Sequence, residues 1–325
     1  MAHDLTIRDN NYVEMAFVGD TPWHGLGQEL DPNADMATWR KAAGMDWSLQ
    51  STPVEFSAAD ADGGVHNHIY TGQNVLYRSD NHEAMSVVSD RYKPVQPAQV
   101  LEFFSDLVEQ AGFRLHTAGT LRGGRRLWAL AETGKYAEVC KDDGVGGFLL
   151  LSTSCDKSLS TTARFTSVRV VCNNTLTLAH EDKRSVVKVP HSATFDADKV
   201  KLELGCVAES FGSFLAMAKA LHAQQLNAKK ASLFVQDLVR PYAQIKKGAE
   251  VDLTQNRAYQ SIMALFEGGA KGSELVGHTK WAMLNAVTEY YDHHNPSRSA
   301  DYKLDNAWFG VGELVKARAV ELLSA

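Results

Sequence analysis

No proline lies between Pro97 and Pro190, although eight are spread over the 325 residues. Proline cannot donate to a strand ladder, so its absence leaves that window free to build central strands. Cysteine is sparse: Cys140, Cys155, Cys172 and Cys206 show no C-x-x-C spacing. That excludes a zinc ribbon and a thioredoxin-type site, and reduced, mostly buried thiols are expected. No apolar run approaches the roughly 18 residues of a membrane span. The opening residues Met1-Ala2-His3-Asp4-Leu5 lack the basic-then-apolar layout of a signal peptide, so the chain reads as cytoplasmic. Gly25-Leu26-Gly27 and Gly144-Val145-Gly146-Gly147 have neither the length nor the flanks of a dinucleotide or phosphate loop. No G-x-S-x-G elbow occurs, no repeat is present, and no cofactor is called for.

Apolar residues make up 44% and charged residues 22%, the balance of a folded globular protein. The formal charge is −6, from 33 Lys/Arg and 39 Asp/Glu, which argues against a generic DNA-coating protein. Charge is unevenly placed, however. Arg114 to His191 holds twelve Lys/Arg against seven Asp/Glu, a local +5, leaving −11 for the rest.

The first fifty residues read as loop with a short helix near Met36–Ala43. Val54–Phe56, His68–Thr71, Asn74–Arg78 and Ala84–Val88 read as strands, the last two joined by Ser79-Asp80-Asn81-His82. Val100, Phe103, Phe104, Leu107 and Val108 at helical spacing predict a helix stopped by Gly112. Arg114–Thr120 and Arg125–Ala131 flank a glycine hairpin at Leu121-Arg122-Gly123-Gly124. Gly147–Thr153, Thr161–Cys172 and Ser185–Val189 complete an expected antiparallel sheet. After Pro190 the period changes: Val200, Leu204, Val207, Phe211, Phe214, Leu215, Ala218 and Leu221 follow helical spacing over six turns. Further helices are predicted at Leu233–Leu238, Asn256–Phe266, Thr279–Asp292 and Gly312–Leu323. The expected class is α+β: a β-rich core over 1–195 carrying a hairpin-rich antiparallel sheet with packed helices, then a helical region over 196–325 packed on or beside it.

Several ordered segments carry a resemblance. They are Pro22-Trp23-His24-Gly25-Leu26-Gly27, Ser89-Asp90-Arg91-Tyr92-Lys93-Pro94-Val95-Gln96, and Ala118-Gly119 with Gly123-Gly124-Arg125-Arg126-Leu127-Trp128. Phe165-Thr166-Ser167-Val168-Arg169-Val170-Val171-Cys172-Asn173-Asn174-Thr175-Leu176 is the most specific, and Asn285 to His293 closes the set. Together they resemble the DUF932 family of phage/plasmid-like proteins. Where that family reads Asp-Gly-Ser before the Arg-Val-Val-Cys strand, this chain reads Asp156-Lys157-Ser158, which adds a positive charge. The resemblance implies a mobile-element origin. The order of hairpins and then a long helix is also similar in outline to Rad52-type single-strand annealing proteins, which assemble into rings and bind single-stranded DNA along a basic groove.

The candidate nucleic-acid-binding set is Arg122, Arg125, Arg126, Lys157, Arg164 and Arg169, with Trp128 and Phe165 as stacking platforms. Strand alternation puts Arg126 with Trp128, and Phe165 with Arg169, on common faces. The competing account makes the two aromatics core and pairs the arginines with the acidic surplus. For Arg169 it names Asp156 or Glu132 as the carboxylate. Asn173-Asn174-Thr175 caps a short helix Leu176–His180 or contacts a base or phosphate. Glu289 and His293 share a helix face and, with His66 and His68, suggest a metal site, but a helix terminus with well-placed histidines is the better account, so no metal is assigned. The expected function is non-enzymatic binding or annealing of single-stranded DNA by a homo-oligomer, possibly a ring, with no membrane partner. The alternatives are a metal-dependent nucleic-acid or nucleotide enzyme, or a host-interaction protein of a mobile element.

Overall fold

The computed structural model describes residues 6–8, 12–19, 26–169, 174–176, 186–196, 198–200, 207–243, 252–296 and 300–325. The main sheet is built from β1 (Met15–Phe17), β2 (Gln28–Glu29), β6 (Arg114–Leu121), β7 (Arg126–Cys140), β8 (Asp143–Ser154), β9 (Thr161–Arg169), β10 (Asn174–Leu176) and β11 (Val186–Val189). Its order is β10-β9-β8-β7-β6-β1-β2, with β11 paired along β9. All the central pairs are antiparallel, as the hairpin pattern predicts, but β1 and β2 run parallel. The sheet is therefore mixed, and the class is α+β. A second sheet holds β3 (Leu49–Ala59), β4 (Val65–Arg78) and β5 (Ala84–Ser89) in sequence order. The segments Val54–Phe56 and His68–Thr71 lie within a long, mostly exposed β3–β4 hairpin.

Asn174 and Thr175 pair with Arg169 and Val168, so they belong to a strand rather than a cap. The expected helix Leu176–His180 lies largely outside the described residues, as do Trp23, Cys172, Cys206 and Lys183-Arg184. The β6–β7 turn carries left-handed backbone at Arg122, Gly123 and Gly124. Glycine is required at 124, because a Cβ there would sit 2.8 Å from Arg78 Nη1 and 2.9 Å from the Trp47 ring.

Helices α1 (Met36–Ala42) and α2 (Pro97–Ala111) are joined later by α3 (Val207–His222), α4 (Ala228–Val239), α5 (Arg257–Ala264), α6 (Ser273–Val276), α7 (Lys280–Glu289), α8 (Ala300–Phe309) and α9 (Val311–Ser324). The predicted run from Val200 appears as helix at 198–200 and again from Val207, with 201–206 outside the described residues. One face of the sheet, with Leu127, Ala129, Ala131, Leu149 and Leu151, packs on Val100, Phe103 and Phe104 of α2. On that same face Phe165 meets Phe211 and Phe214 of α3. The opposite face, with Trp128, Leu130, Phe148 and Leu150, packs on Ala307 and Trp308 of α8. Both faces of the central strands are thus covered, and strand residues share one core with the helices that follow them.

The second sheet is tied to the first by Arg78, which bonds Glu14 (2.9 Å) and Asp80 (2.7 Å) and lies 4.3 Å over the Trp47 ring. Burial alone would raise Asp80, but the Arg78 hydrogen bond and charge outweigh it and hold the carboxyl below its usual range. The folded state then binds fewer protons than the unfolded chain. The pair's stabilisation is complete above the unfolded carboxylate value, about 3.9, and is lost as pH falls through the depressed one. Asp80→Asn should flatten the acid limb of the stability profile, read by urea unfolding from pH 6 downward; an unchanged limb would show that the pair contributes nothing.

Candidate functional site

The central arginines take their places through strand alternation, as read from the sequence, but each is met by a partner. Arg126 shares a face with Trp128, and Arg164 stands opposite Leu150 on that same face. Asp305 of α8 receives both Arg126 and Arg122, the latter at 2.5 Å. Arg164 pairs with Glu313 at the start of α9 and donates to the Trp308 carbonyl. The Phe309 ring lies 5.7 Å from the Arg126 guanidinium carbon and 5.4 Å from that of Arg164. Burial holds the pKa of both guanidiniums below the ordinary arginine value, although Glu313 opposes this at Arg164.

Arg169 lies on the other face and is 3% exposed. Its Nε donates to Asp143 at 2.6 Å, and its terminal nitrogens donate to the Lys271 and Gly272 carbonyls. The second carboxylate oxygen of Asp143 accepts from Trp281 Nε1 at 2.8 Å. The pairing account of Arg169 therefore stands, with Asp143 in place of Asp156 or Glu132. Trp128 and Phe165 are each 1% exposed, the first edge-on to Trp308 and the second to Phe211. A base cannot stack on a ring sealed in this way, so both are core side chains. Arg125 and Lys157 are nearer solvent. Arg125 pairs with Glu83 at 3.0 Å, and Lys157 donates to the Val87 carbonyl at 2.6 Å.

Glu289 is also committed: it accepts from the Lys271 N–H and lies 3.6 Å from His294. Among the described residues, no group of three His, Cys, Asp or Glu side chains is placed to hold a metal ion.

The same segment serves a different feature. After α7 the chain makes a π-helical turn over Tyr290–His294, closed by the Asn295 N–H on the Tyr290 carbonyl at 2.6 Å. Such turns often mark functional sites. Two bonds from the C-terminal helices hold it: Lys316 to Asp292 at 2.6 Å, and Lys303 to the His293 carbonyl at 2.7 Å. Beside it opens a cavity of about 510 Å³, within the range of small-molecule sites. Tyr242, Tyr290, Tyr291, Asn256, Asn295 and Asn306 line it together with Val239, Ala258 and Val311. No charged side chain is among the described residues of its wall. Burial pushes the Tyr290 and Tyr291 hydroxyls up from their ordinary values, and the neighbouring tyrosines push Tyr291 further. Both phenols therefore remain neutral O–H groups at physiological pH.

Two exposed arginines are next in sequence to residues that line the cavity. Arg240 stands between Val239 and Tyr242 in sequence and lies 3.9 Å from Asp237. Arg257 stands between Asn256 and Ala258 and acts electrostatically on Tyr290. Neither arginine is marked by any local sequence pattern. The three asparagines read in sequence as caps and turns, which hides their common destination.

The fold and cavity define an α+β protein with a sheet sealed on both faces and an open, uncharged, aromatic-and-amide site in its helical half. Residues 84–308 match the family described as "Domain of unknown function (DUF932)", and the chain belongs to that family. No curated protein and no solved structure matches it. No helix among the described residues is long and apolar enough to cross a membrane.

Arg169→Ala leaves the Asp143 carboxylate buried beside Trp281 with its counter-charge gone. It should cost about 3–5 kcal/mol, read by urea unfolding. A loss under about 0.5 kcal/mol, the usual effect of a surface truncation, would return Arg169 to the candidate interface.

Proposed function

We propose that this protein binds single-stranded nucleic acid without turning it over, in the recombination or replication of a phage or plasmid. The observation that carries this reading is the tyrosine- and asparagine-lined cavity, with exposed arginines next in sequence to its lining residues. Single-strand binders combine aromatic platforms for unstacked bases with cations that follow the phosphates. Here Tyr242, which is 39% exposed, would stack a base, the buried Tyr290 and Tyr291 would form the wall beside it, and Arg240 and Arg257 would take the backbone. The interface is thus shifted from the strand arginines to the helical half, because the strand arginines already hold carboxylates.

Annealing and assembly into a homo-oligomer of the Rad52 type belong to the same reading. The β3–β4 hairpin supports assembly, since it exposes Phe56, Val65, Ile69 and Tyr70 away from the core, and β3 is an open sheet edge. The metal-dependent alternative gains no support from Glu289, whose carboxylate is engaged.

Affinity for an unstructured oligonucleotide should fall with salt, with a slope of roughly −0.7 per phosphate neutralised. Arg240→Ala combined with Arg257→Ala should flatten that slope by about one to two units without loss of fold. An unchanged slope removes both arginines from the interface; no binding at any salt removes the function.

A further inference from the structure

The polar atoms of the cavity are not balanced between donors and acceptors. Asn256 caps α5, and its Oδ1 accepts from the Ala258 N–H at 2.9 Å and the Tyr259 N–H at 3.3 Å. Those backbone donors require an oxygen, so the orientation of the amide is fixed and its NH₂ is what remains for a ligand. Asn306 repeats the arrangement, its Oδ1 accepting from the Gly312 N–H at 3.3 Å where α8 passes into α9. Two of the three carboxamides have therefore committed their oxygens to helix ends. The phenols of Tyr290 and Tyr291 are protonated, so each can donate its O–H while its oxygen can also accept.

A donor-rich, uncharged wall favours a flat ligand that presents carbonyl oxygens. Exocyclic amines would meet other N–H groups and leave donors unpaired on both sides, which costs more than a missing bond in the open. A bare anion is a poorer occupant, because the described wall has no cation and the two arginines stand outside it. We propose that the cavity selects a keto nucleobase without an exocyclic amine (thymine, uracil or hypoxanthine) over adenine. This rests on the single-strand reading above and names the ligand class of the same site.

The test compares two otherwise abasic oligodeoxynucleotides, one carrying a single hypoxanthine and the other a single adenine. The two bases share a ring system; hypoxanthine presents a carbonyl at position 6 and an N–H at N1, where adenine presents an amine and a bare acceptor nitrogen. The wild-type protein should bind the hypoxanthine strand about tenfold more tightly, the effect of one to two hydrogen bonds. Asn256→Asp keeps an oxygen to cap α5 but removes the NH₂, and the ratio should fall to about one or invert. Asn256→Ser also caps without an amide and should give the same loss, so the conclusion does not depend on one variant folding. Because the readout is a ratio, any change in overall charge cancels. Binding of both strands with a ratio near one in the wild type, or a ratio unchanged in the two variants, overturns the keto preference while leaving single-strand binding intact. Failure of the wild type to bind any single strand overturns both.

Discussion

A guanidinium cannot be left unpaired in a closed interior, and this constraint organises the molecule. A buried charge costs several kcal/mol unless a counter-charge and hydrogen bonds meet it. The strands place Arg126 and Arg164 on one face, where the covering helices supply the carboxylates, and Arg169 on the other, where Asp143 of the neighbouring strand supplies it. Asp305 lies 179 residues after Arg126, and Glu313 lies 149 after Arg164. The C-terminal helices can therefore seat in one position only, with Trp308 against Trp128 and the carboxylates over the arginines. Apolar packing alone would tolerate a slide of α8 along the sheet; the ion pairs do not. Such pairs add little net stability over a hydrophobic substitute but penalise every other register.

The seat of α8 also decides the cavity. Asp305 is held by the sheet, and the next residue, Asn306, faces the cavity. Lys303, two residues before Asp305, ties the same helix to the π-helical turn that carries Tyr290 and Tyr291. A sheet-to-helix contact and a site wall are thus neighbours on one short helix. The arginines read from sequence as ligand contacts act at one remove, as anchors of a wall.

Much of the architecture was legible because it is local. The hairpins at Ser79–His82 and Leu121–Gly124 follow from turn residues between alternating strands, and α2 and α3 from apolar spacing. Alternation correctly grouped Arg126 with Trp128 and Phe165 with Arg169. What it could not supply was whether a face is open. A strand buried on one side and a strand buried on both can hold the same arginines, and the covering helix lies far along the chain. The +5 centre and −11 remainder were two halves of one fact: part of that acidic surplus is Asp305 and Glu313, folded onto the basic centre. Helix α8 itself was missed, since Ala300–Phe309 mixes polar and apolar residues without a clean stripe.

The cavity was illegible for a related reason. Asparagine is common at caps because its side chain mimics a backbone acceptor, and nothing in sequence separates a cap that faces solvent from one that faces a site. Once the fold brings Asn256 and Asn306 to one wall, the capping duty has a chemical consequence. The oxygen that ends a helix is engaged by backbone N–H, which leaves the NH₂ as the free part of the amide. The π-helical turn adds two adjacent tyrosines whose burial keeps them protonated. Helix termination thus pushes the amide character of the wall toward donors, and the neutral phenols add no charge to it. The proposed preference for carbonyl-bearing bases would then rest on how these helices end, with no dedicated recognition residue required.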